Sequence, residues 1–287
     1  MPDSGFGARL AATFAAHGQL CVGIDPHSFL LDAWGLPDSA AGVREFGLRV
    51  VDAAAGRAGI LKPQVAFFER HGSAGYSALE RVLEQARGAE LLVIADAKRG
   101  DLGTSVDAYG QAWLTPGSAL EADAMTISAY QGVGSIAGPI ALAHDVGKGL
   151  FVLAATSNPE SFGIQTARVD TGERSGDTVA AAIVKDVSVL NRAASHPVGS
   201  LGVVLGATVS ARTYGISLDE LASPPATPVL APGFGHQGAK FSDVRARYEA
   251  AAPHVIVAVS RSVLSAGPGK IADAISRASG ELRECLA

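Results

Sequence analysis

The amino-acid sequence predicts an α/β fold in which eight strands alternate with helices. Short apolar runs recur along the 287 residues, and each run ends in Gly, Pro or a polar group. Between these runs, apolar residues recur at helical spacing. The (β/α)8 TIM barrel has eight strands that alternate with helices in this way, and a barrel of this length is commonly one domain. We therefore expect a single barrel domain over residues 1–287.

The apolar runs give the predicted strands in chain order. They are Leu20–Asp25, Ile60–Phe67, Leu91–Lys98, Ala122–Ser128, Leu150–Thr156, Leu201–Thr208, Pro228–Pro232 and Val255–Arg261. A doubly wound open sheet is the competing architecture, and it usually carries a Gly-rich turn directly after the first strand. The first run here ends in Gly23-Ile24-Asp25-Pro26-His27 instead, which favours the barrel.

Apolar stripes predict the helices that cover the barrel. The stripes are Val43, Phe46, Val50 and Ala54; Val179, Ile183, Val187 and Leu190; and Ile271, Ile275, Ala278 and Leu282. Ahead of the first strand, Phe6, Leu10 and Phe14 predict an amphipathic N-terminal helix over residues 4–17. A signal peptide would need a basic start and a continuous apolar core, which this segment lacks.

Composition excludes several function classes. The chain is 48% hydrophobic and 18% charged, with a net charge of −5, so it has no basic footprint for nucleic acid. No apolar run approaches the roughly 18 residues of a membrane span. The seven His lack metal-binding spacing, and Cys21 and Cys285 lie at opposite ends of the chain. We expect a soluble, cytoplasmic protein with no metal site and no nucleic-acid or membrane partner.

Ionisable side chains lie in or directly after each of the first three predicted strands. Asp25 ends the first, Lys62 lies in the second, and Asp96-Ala97-Lys98-Arg99-Gly100-Asp101 ends the third. Side chains two apart on a strand share a face, so Asp96 and Lys98 are expected to point the same way, with Asp101 in the turn beyond. Burying such groups costs free energy. A charged site at this end of the barrel explains their presence best.

The last two strands predict an anion site. Gly233 and Gly235 follow the seventh strand, where backbone N–H groups could approach a ligand closely, and Arg261 ends the eighth. A guanidinium suits bidentate phosphate binding. Barrels commonly bind phosphate at these two loops, so the pocket is expected to hold a phosphorylated small molecule with its reacting end over strands 2 and 3.

Two long connections, 157–174 and 209–227, follow strand ends. Loops of this length are commonly functional or disordered, and we expect Ser157–Gly163 to be a candidate lid. The sequence has no Ser-His-Asp or Cys-His pattern and no cofactor fingerprint. The available chemistry is therefore that of ammonium and carboxylate groups.

Five segments together resemble the orotidine 5′-monophosphate decarboxylase family over nearly the whole chain. They are Gly23-Ile24-Asp25-Pro26-His27, Leu61-Lys62-Pro63-Gln64-Val65-Ala66-Phe67-Phe68-Glu69, Asp96-Ala97-Lys98-Arg99-Gly100-Asp101, Thr156-Ser157-Asn158-Pro159 and Ala231-Pro232-Gly233-Phe234-Gly235. The third carries the DxKxxD signature in a KRGD form that is similar to the longer bacterial branch. DxKxxD alone also occurs in related sugar-phosphate decarboxylases.

The resemblance implies a cofactor-free decarboxylation of orotidine 5′-monophosphate (OMP) to UMP in pyrimidine biosynthesis. It implies an alternating array of Lys62, Asp96, Lys98 and Asp101, in which Asp101 reaches into the partner subunit's site of a homodimer. The implied substrate contacts are Asp25 and Lys62 to the ribose, Ser157 to the pyrimidine, and Gln237, Arg261 and Gly235 at the phosphate. A family Thr corresponds to Ser105, although Thr104 is adjacent.

In this interpretation Lys98 stabilises the carbanion left at C6 and then protonates it, because fixed charge replaces an organic electron sink. Three alternatives stay open on the same barrel. One is a metal-dependent sugar-phosphate decarboxylase in which Asp96 ligates Mg²⁺. Another is an aldolase that uses Lys62 or Lys98 as a Schiff base. The third is a catalytically silent nucleotide-binding barrel, which retention of both lysines and all three aspartates disfavours.

Overall fold

Eight parallel strands close into a barrel in the computed structural model, which describes residues 5–287. The strands are β1 (Leu20–Ile24), β2 (Ile60–Pro63), β3 (Leu92–Arg99), β4 (Ala124–Ile127), β5 (Gly149–Ala155), β6 (Leu201–Leu205), β7 (Val229–Pro232) and β8 (Val255–Val259). Each pairs with its sequence neighbour, and β8 pairs with β1. The predicted barrel is confirmed.

The helices lie between these strands and before the first one. They are α1 (Phe6–His17), α2 (Ser28–Ala33), α3 (Ala40–Ala54), α4 (Ala66–Glu69), α5 (Gly72–Gly88), α6 (Gly103–Leu114), α7 (Ala137–Asp145), α8 (Phe162–Gln165), α9 (Val179–Asn191), α10 (Leu218–Ala222), α11 (Val244–Tyr248), α12 (Arg261–Leu264) and α13 (Ile271–Leu286). Short 3₁₀ turns occupy Val133–Ile136, Pro159–Ser161, Phe241–Asp243 and Glu249–His254.

Most strands are shorter than their apolar runs. The run predicted to continue to Phe67 ends as a strand at Pro63, because the chain turns into α4 three residues later. The reverse occurs in β3, which extends one residue past its predicted end to Arg99. Strand ends are set by where the chain must leave the barrel, and apolar content alone does not mark that position.

The predicted N-terminal helix closes the amino-terminal end of the barrel. Phe6 and Leu10 are fully buried and pack with side chains inside the barrel, and Phe14 is partly buried against the same cluster. A Cβ at Gly149 would lie 2.5 Å from the Phe6 ring, so β5 needs a glycine there to admit the helix. The helix begins at Phe6, while residue 4 of the predicted range lies outside the described residues.

Alternation along the strands divides the core into two layers. Cys21, Ile60 and Ile94 belong to the cluster inside the barrel, whereas Val22, Leu61 and Ala95 belong to the cluster that packs against the outer helices. The apolar interior does not reach the carboxyl ends of the strands. At that level the buried side chains of neighbouring strands are Lys62, Asp96 and Thr126, which places polar groups where the barrel opens.

The predicted helical stripes differ in accuracy. All four residues of the first are buried in α3, and three of the four are buried in α13, where Ala278 is half-buried. In the α9 stripe only Val187 is fully buried, while Ile183 and Leu190 are half-buried and pack against the core. The buried face there is Ala180, Val184, Val187 and Asn191, because the Asn191 amide turns inward to bond the backbone of Leu201 at both its N–H and its carbonyl.

Both predicted long loops contain local structure. A 3₁₀ turn and α8 occupy part of 157–174, and α10 lies within 209–227. Helix α10 begins at a capping Ser217, whose hydroxyl accepts the Glu220 backbone N–H. Across residues 5–287, no helix combines the length and the apolar character needed to cross a membrane.

Candidate active site

Asp96 is the centre of a buried hydrogen-bonding network at the mouth of the barrel. Its Oδ2 accepts from Lys62 Nζ at 2.8 Å and from Gln64 Nε2 at 3.0 Å. Its Oδ1 accepts from Lys98 Nζ at 2.6 Å and from the Thr126 hydroxyl at 2.9 Å. The donors come from β2, β3, β4 and the residue after β2, so the barrel itself assembles the network.

The two lysines compensate Asp96 for its burial. Burial by itself would raise the pKa of Asp96, but attraction by Lys62 and then by Lys98 outweighs it and holds the pKa well below its usual range. Burial would likewise lower the pKa of Lys62, yet attraction by Asp96 and Asp25 raises that pKa well above its usual range. Asp96 and Lys62 are therefore both charged at neutral pH.

Lys98 differs from Lys62 in exposure and backbone conformation. The Lys98 side chain is 46% exposed, against 10% for Lys62, so its ammonium can reach a ligand in the barrel mouth. Its φ of 47° lies in the left-handed region, which costs a non-glycine residue about 1 kcal/mol. The β3–β4 register shifts between Ala95 and Arg99, so Lys98 stands on a bulge.

A cavity of about 270 Å³ extends from this network toward β7 and β8. It brings together four predicted site residues: Asp25, Lys62, Gln237 and Arg261. Asp96 adjoins it through Lys62, which both lines the cavity and bonds Asp96, and Lys98 bonds Asp96 in turn. The cavity is also lined by polar or aromatic residues for which the sequence predicted no role: His27, Gln64, Phe67, Phe234, His236 and Ser260.

Two buried polar atoms at this cavity have no protein partner among the described residues. They are Asp25 Oδ1 and Ser260 Oγ, on residues that both line the cavity. A Cβ at Gly23 would lie 2.9 Å from Ser260 Cβ and 3.4 Å from Asp25 Oδ1, so the glycine lets both groups approach. Leaving such atoms unpaired costs free energy, which a hydrogen-bonding ligand would recover.

The two glycines after β7 lie on different sides of the turn. Gly233, with a φ of 116°, lines the cavity, and a Cβ there would lie 3.2 Å from Gln237 Oε1. Gly235 lines a separate groove with Ser262, and its N–H donates to the Ala239 carbonyl at 2.8 Å. Gly233 is therefore the glycine beside the cavity in this structure.

Three further predicted residues do not line the cavity. Asp101 is half-buried after β3 and accepts the Leu102 backbone N–H at 2.9 Å. Ser105 and the adjacent Thr104 are exposed in the first turn of α6. Ser157 is exposed after β5. It lies close to Gly206, just after β6, because a Cβ added to that glycine would be 3.4 Å from the Ser157 Cβ.

The connection after β5 contacts the connection after β6. The Phe162 ring, half exposed in α8, meets Tyr214 edge-on at a centroid separation of 5.9 Å. The Gln165 side chain forms two hydrogen bonds with Thr156. Its Oε1 accepts the Thr156 backbone N–H, and its Nε2 donates to the Thr156 hydroxyl. Thr156 and Gln165, which flank the segment predicted as a lid, are thus bonded to each other.

Comparison with known proteins agrees with this geometry. The sequence profile of the orotidine 5′-phosphate decarboxylase / HUMPS family matches residues 18–275. The chain belongs to this family. All five segments that carry the resemblance fall inside the matched range, so the predicted family is confirmed.

Relatives match along nearly their whole length. The orotidine 5′-phosphate decarboxylase of a Nocardioides strain is 47% identical over 279 residues, covering 97% of this chain and 98% of the relative. That of Salinispora tropica is 46% identical over 267 residues, covering 93% and 92%. A crystal structure of a candidate orotidine 5′-phosphate decarboxylase from Streptomyces avermitilis superposes with a TM-score of 0.91 at 42% identity, covering 100% of this chain and 97% of that one.

The carboxylates of the site are spread among lysines. Among residues 5–287, no group of three or more His, Cys, Asp or Glu side chains is arranged to hold a metal ion. Asp96 accepts hydrogen bonds from two ammonium groups, an amide and a hydroxyl. The arrangement favours chemistry carried by fixed charge.

Proposed function

We propose that this chain converts orotidine 5′-monophosphate to UMP and CO2, acting as one barrel domain. The observation that carries the proposal is the position of the Asp96 carboxylate between two ammonium groups at the mouth of a barrel whose cavity ends at Arg261. The relatives that match over more than nine-tenths of both chains are named for this reaction.

Lys98 is the proposed proton donor. When the bond between C6 and the carboxylate breaks, the electron pair stays on C6 as a carbanion that the ring π system cannot delocalise. An ammonium beside C6 stabilises that charge by a preorganised electrostatic interaction and then transfers one proton to it. UMP and CO2 result, and solvent returns the proton to Lys98. Its 46% exposure at the barrel mouth supports contact with the substrate.

Asp96, itself bonded to Lys62, holds the proposed donor in position. The carboxylate bonds both ammonium groups, at 2.8 Å to Lys62 and 2.6 Å to Lys98. The attraction between the Asp96 carboxylate and the Lys98 ammonium offsets part of the cost of removing that ammonium from water when substrate closes the site. With Asp101 supplied from the partner subunit, the array would alternate in charge.

The cavity supports a nucleotide oriented with its phosphate at β7 and β8. Arg261 and Gln237 are the proposed phosphate ligands, with the Gly233–Gly235 turn beside them. Asp25 and Lys62 are the proposed ribose ligands, and the unpartnered Asp25 Oδ1 is available to accept from a hydroxyl. Ser157, after β5, is proposed to contact the pyrimidine.

A homodimer would complete the site. The Asp101 carboxylate accepts a hydrogen bond from the backbone N–H of Leu102, and two apolar side chains that follow it in the chain are exposed: Leu102 is 58% exposed and Tyr109 38% exposed. Exposed apolar side chains of this kind are candidates for burial in an interface. We propose that this surface meets its counterpart by two-fold symmetry, with Asp101 and either Ser105 or Thr104 entering the partner's site.

The test is turnover of orotidine 5′-monophosphate by the purified chain, followed by its absorbance change in the presence of EDTA. Stoichiometric UMP and CO2 are expected. Loss of activity in EDTA, restored by Mg²⁺, would favour the metal-dependent sugar-phosphate decarboxylase, and covalent trapping of a carbonyl substrate by borohydride would favour the aldolase. Binding of the nucleotide without turnover would favour the third alternative, a catalytically silent nucleotide-binding barrel.

A further inference from the structure

Thr126 bonds the backbone N–H of Lys98 and also the Asp96 carboxylate that holds the Lys98 ammonium. Its Oγ1 accepts the Lys98 backbone N–H at 2.9 Å and donates to Asp96 Oδ1 at 2.9 Å, the same oxygen that accepts from Lys98 Nζ at 2.6 Å. The Thr126 residue is 1% exposed, so water does not compete for these bonds. We infer that Thr126 is a positioning residue that fixes the Lys98 ammonium for proton delivery, an inference that rests on the proposed function.

The bulge in β3 explains why Lys98 needs this support. Between the pairs Ala95–Met125 and Arg99–Ile127, β3 advances by four residues while β4 advances by two. The extra residues break the strand ladder, and Lys98 takes its left-handed φ of 47° there. Its N–H cannot bond a β4 carbonyl in register, and the Thr126 hydroxyl accepts it instead.

The direction of each hydrogen bond is fixed by chemistry. A backbone N–H can only donate, and the Asp96 carboxylate, charged at neutral pH, can only accept. The single hydroxyl proton of Thr126 must therefore lie toward Asp96 Oδ1. A side chain with no hydroxyl would leave both the Lys98 N–H and one lone pair of Oδ1 unpaired in a buried site.

The consequence for catalysis is geometric. Lys98 has four rotatable side-chain bonds and is 46% exposed, so packing alone does not hold its ammonium. The bulge aims the side chain, and Oδ1 sets where Nζ rests. Thr126 binds both of these anchors, and a small misplacement of a proton donor is enough to cost a large part of the rate.

The test compares two substitutions at one position with a matched control. Thr126→Val keeps the shape and removes the hydroxyl, whereas Thr126→Ser keeps the hydroxyl. Thr227→Val is the control, because Thr227 is also fully buried and its hydroxyl also bonds two side chains, Ser188 and Asn191, away from the site. Thr126→Ala removes the hydroxyl without a second methyl beside Asp96 and replaces the valine variant if that variant does not fold.

We expect Thr126→Val to lower kcat by about 10- to 100-fold with less than about a threefold change in KM. Thr126→Ser should stay within about threefold of wild type, and Thr227→Val should keep its kcat even if its melting temperature falls. Hydrogen exchange of the Lys98 amide, followed by NMR, should accelerate in Thr126→Val and not in Thr126→Ser.

Two failures are distinguishable. An unaltered kcat together with unaltered Lys98 exchange in Thr126→Val would overturn the role of Thr126 while leaving the proposed function intact. A parallel fall in kcat for Thr126→Val and Thr227→Val would also overturn it, because the effect would then be one of general stability. If the wild-type protein does not decarboxylate the nucleotide, the proposed function fails, and so does a role for Thr126 in that reaction.

Discussion

Replacing Asp96 by Asn should destabilise the folded protein. Asp96→Asn preserves the size of the side chain and removes the charge that compensates Lys62 and Lys98. Lys62 is the decisive partner, because its side chain is 10% exposed and faces an Asp96 side chain that is 8% exposed. Removing one member of such a pair leaves the other as an uncompensated buried charge.

The magnitude follows from the burial of each pair. Breaking a buried ion pair costs about 3–5 kcal/mol. The Lys98 pair is half exposed, so its contribution is that of a surface pair, about 0–1 kcal/mol. Asp25 also attracts Lys62 and remains in the variant, which moves the expected loss to about 3 kcal/mol. For a chain of this size, that loss lowers Tm by roughly 6–12 °C.

Urea unfolding at neutral pH measures this loss directly. Asp186→Asn is the matched control, because Asp186 pairs with Arg174 at 2.8 Å but is 38% exposed, and its loss should cost under about 1 kcal/mol. Since the pKa of Asp96 is lower in the folded state, its stabilisation is present above about pH 4 and is lost as pH falls further. Asp96→Asn should lack this acid-dependent component. A loss below 1 kcal/mol with an unaltered acid profile would refute the assignment of Asp96 as the compensating charge.

Two further predictions concern binding and assembly. Arg261→Ala should lower kcat/KM for the nucleotide by about 10- to 100-fold, the cost of a charged hydrogen bond, and should affect orotidine without phosphate far less; an equal loss on both substrates would exclude a phosphate contact. Mixing inactive Asp101→Ala with inactive Lys98→Ala should restore about a quarter of wild-type activity, because half the dimers are then mixed and each has one intact site. No recovery after demonstrated subunit exchange would mean that Asp101 serves its own chain.

Patterning was sufficient to predict the barrel and the clustering of charged side chains at its mouth. Runs that end in polar groups gave eight strands, and the period of two along β3 predicted that Asp96 and Lys98 share a face. The structure agrees, since Lys98 Nζ donates a hydrogen bond to Asp96 Oδ1. Parallel strands bring their carboxyl ends to one rim, so Asp25, Lys62 and Arg261 could be placed together from chain order alone.

The features that could not be predicted from the sequence depend on contacts between residues far apart in the chain. The inward turn of the Asn191 amide in α9 reflects bonding to Leu201, which helical period does not encode. The positions of Gly233 and Gly235 on opposite sides of one turn depend on a hydrogen bond to Ala239. Thr126 reads as an ordinary β-branched strand residue, and only the bulge opposite it reveals its two partners.

The turnover of Lys98→Ala tests the proposed role of Lys98 most directly. The variant should fold with a Tm close to that of wild type, because Lys98 is half exposed, and should lose nearly all kcat, because both the proton donor and the local positive charge are gone. Lys270→Ala, at an exposed lysine outside the site, should keep full activity. If Lys98→Ala retained more than about a tenth of the wild-type kcat, the barrier would have risen by less than about 1.4 kcal/mol, and Lys98 could not be the group that protonates C6.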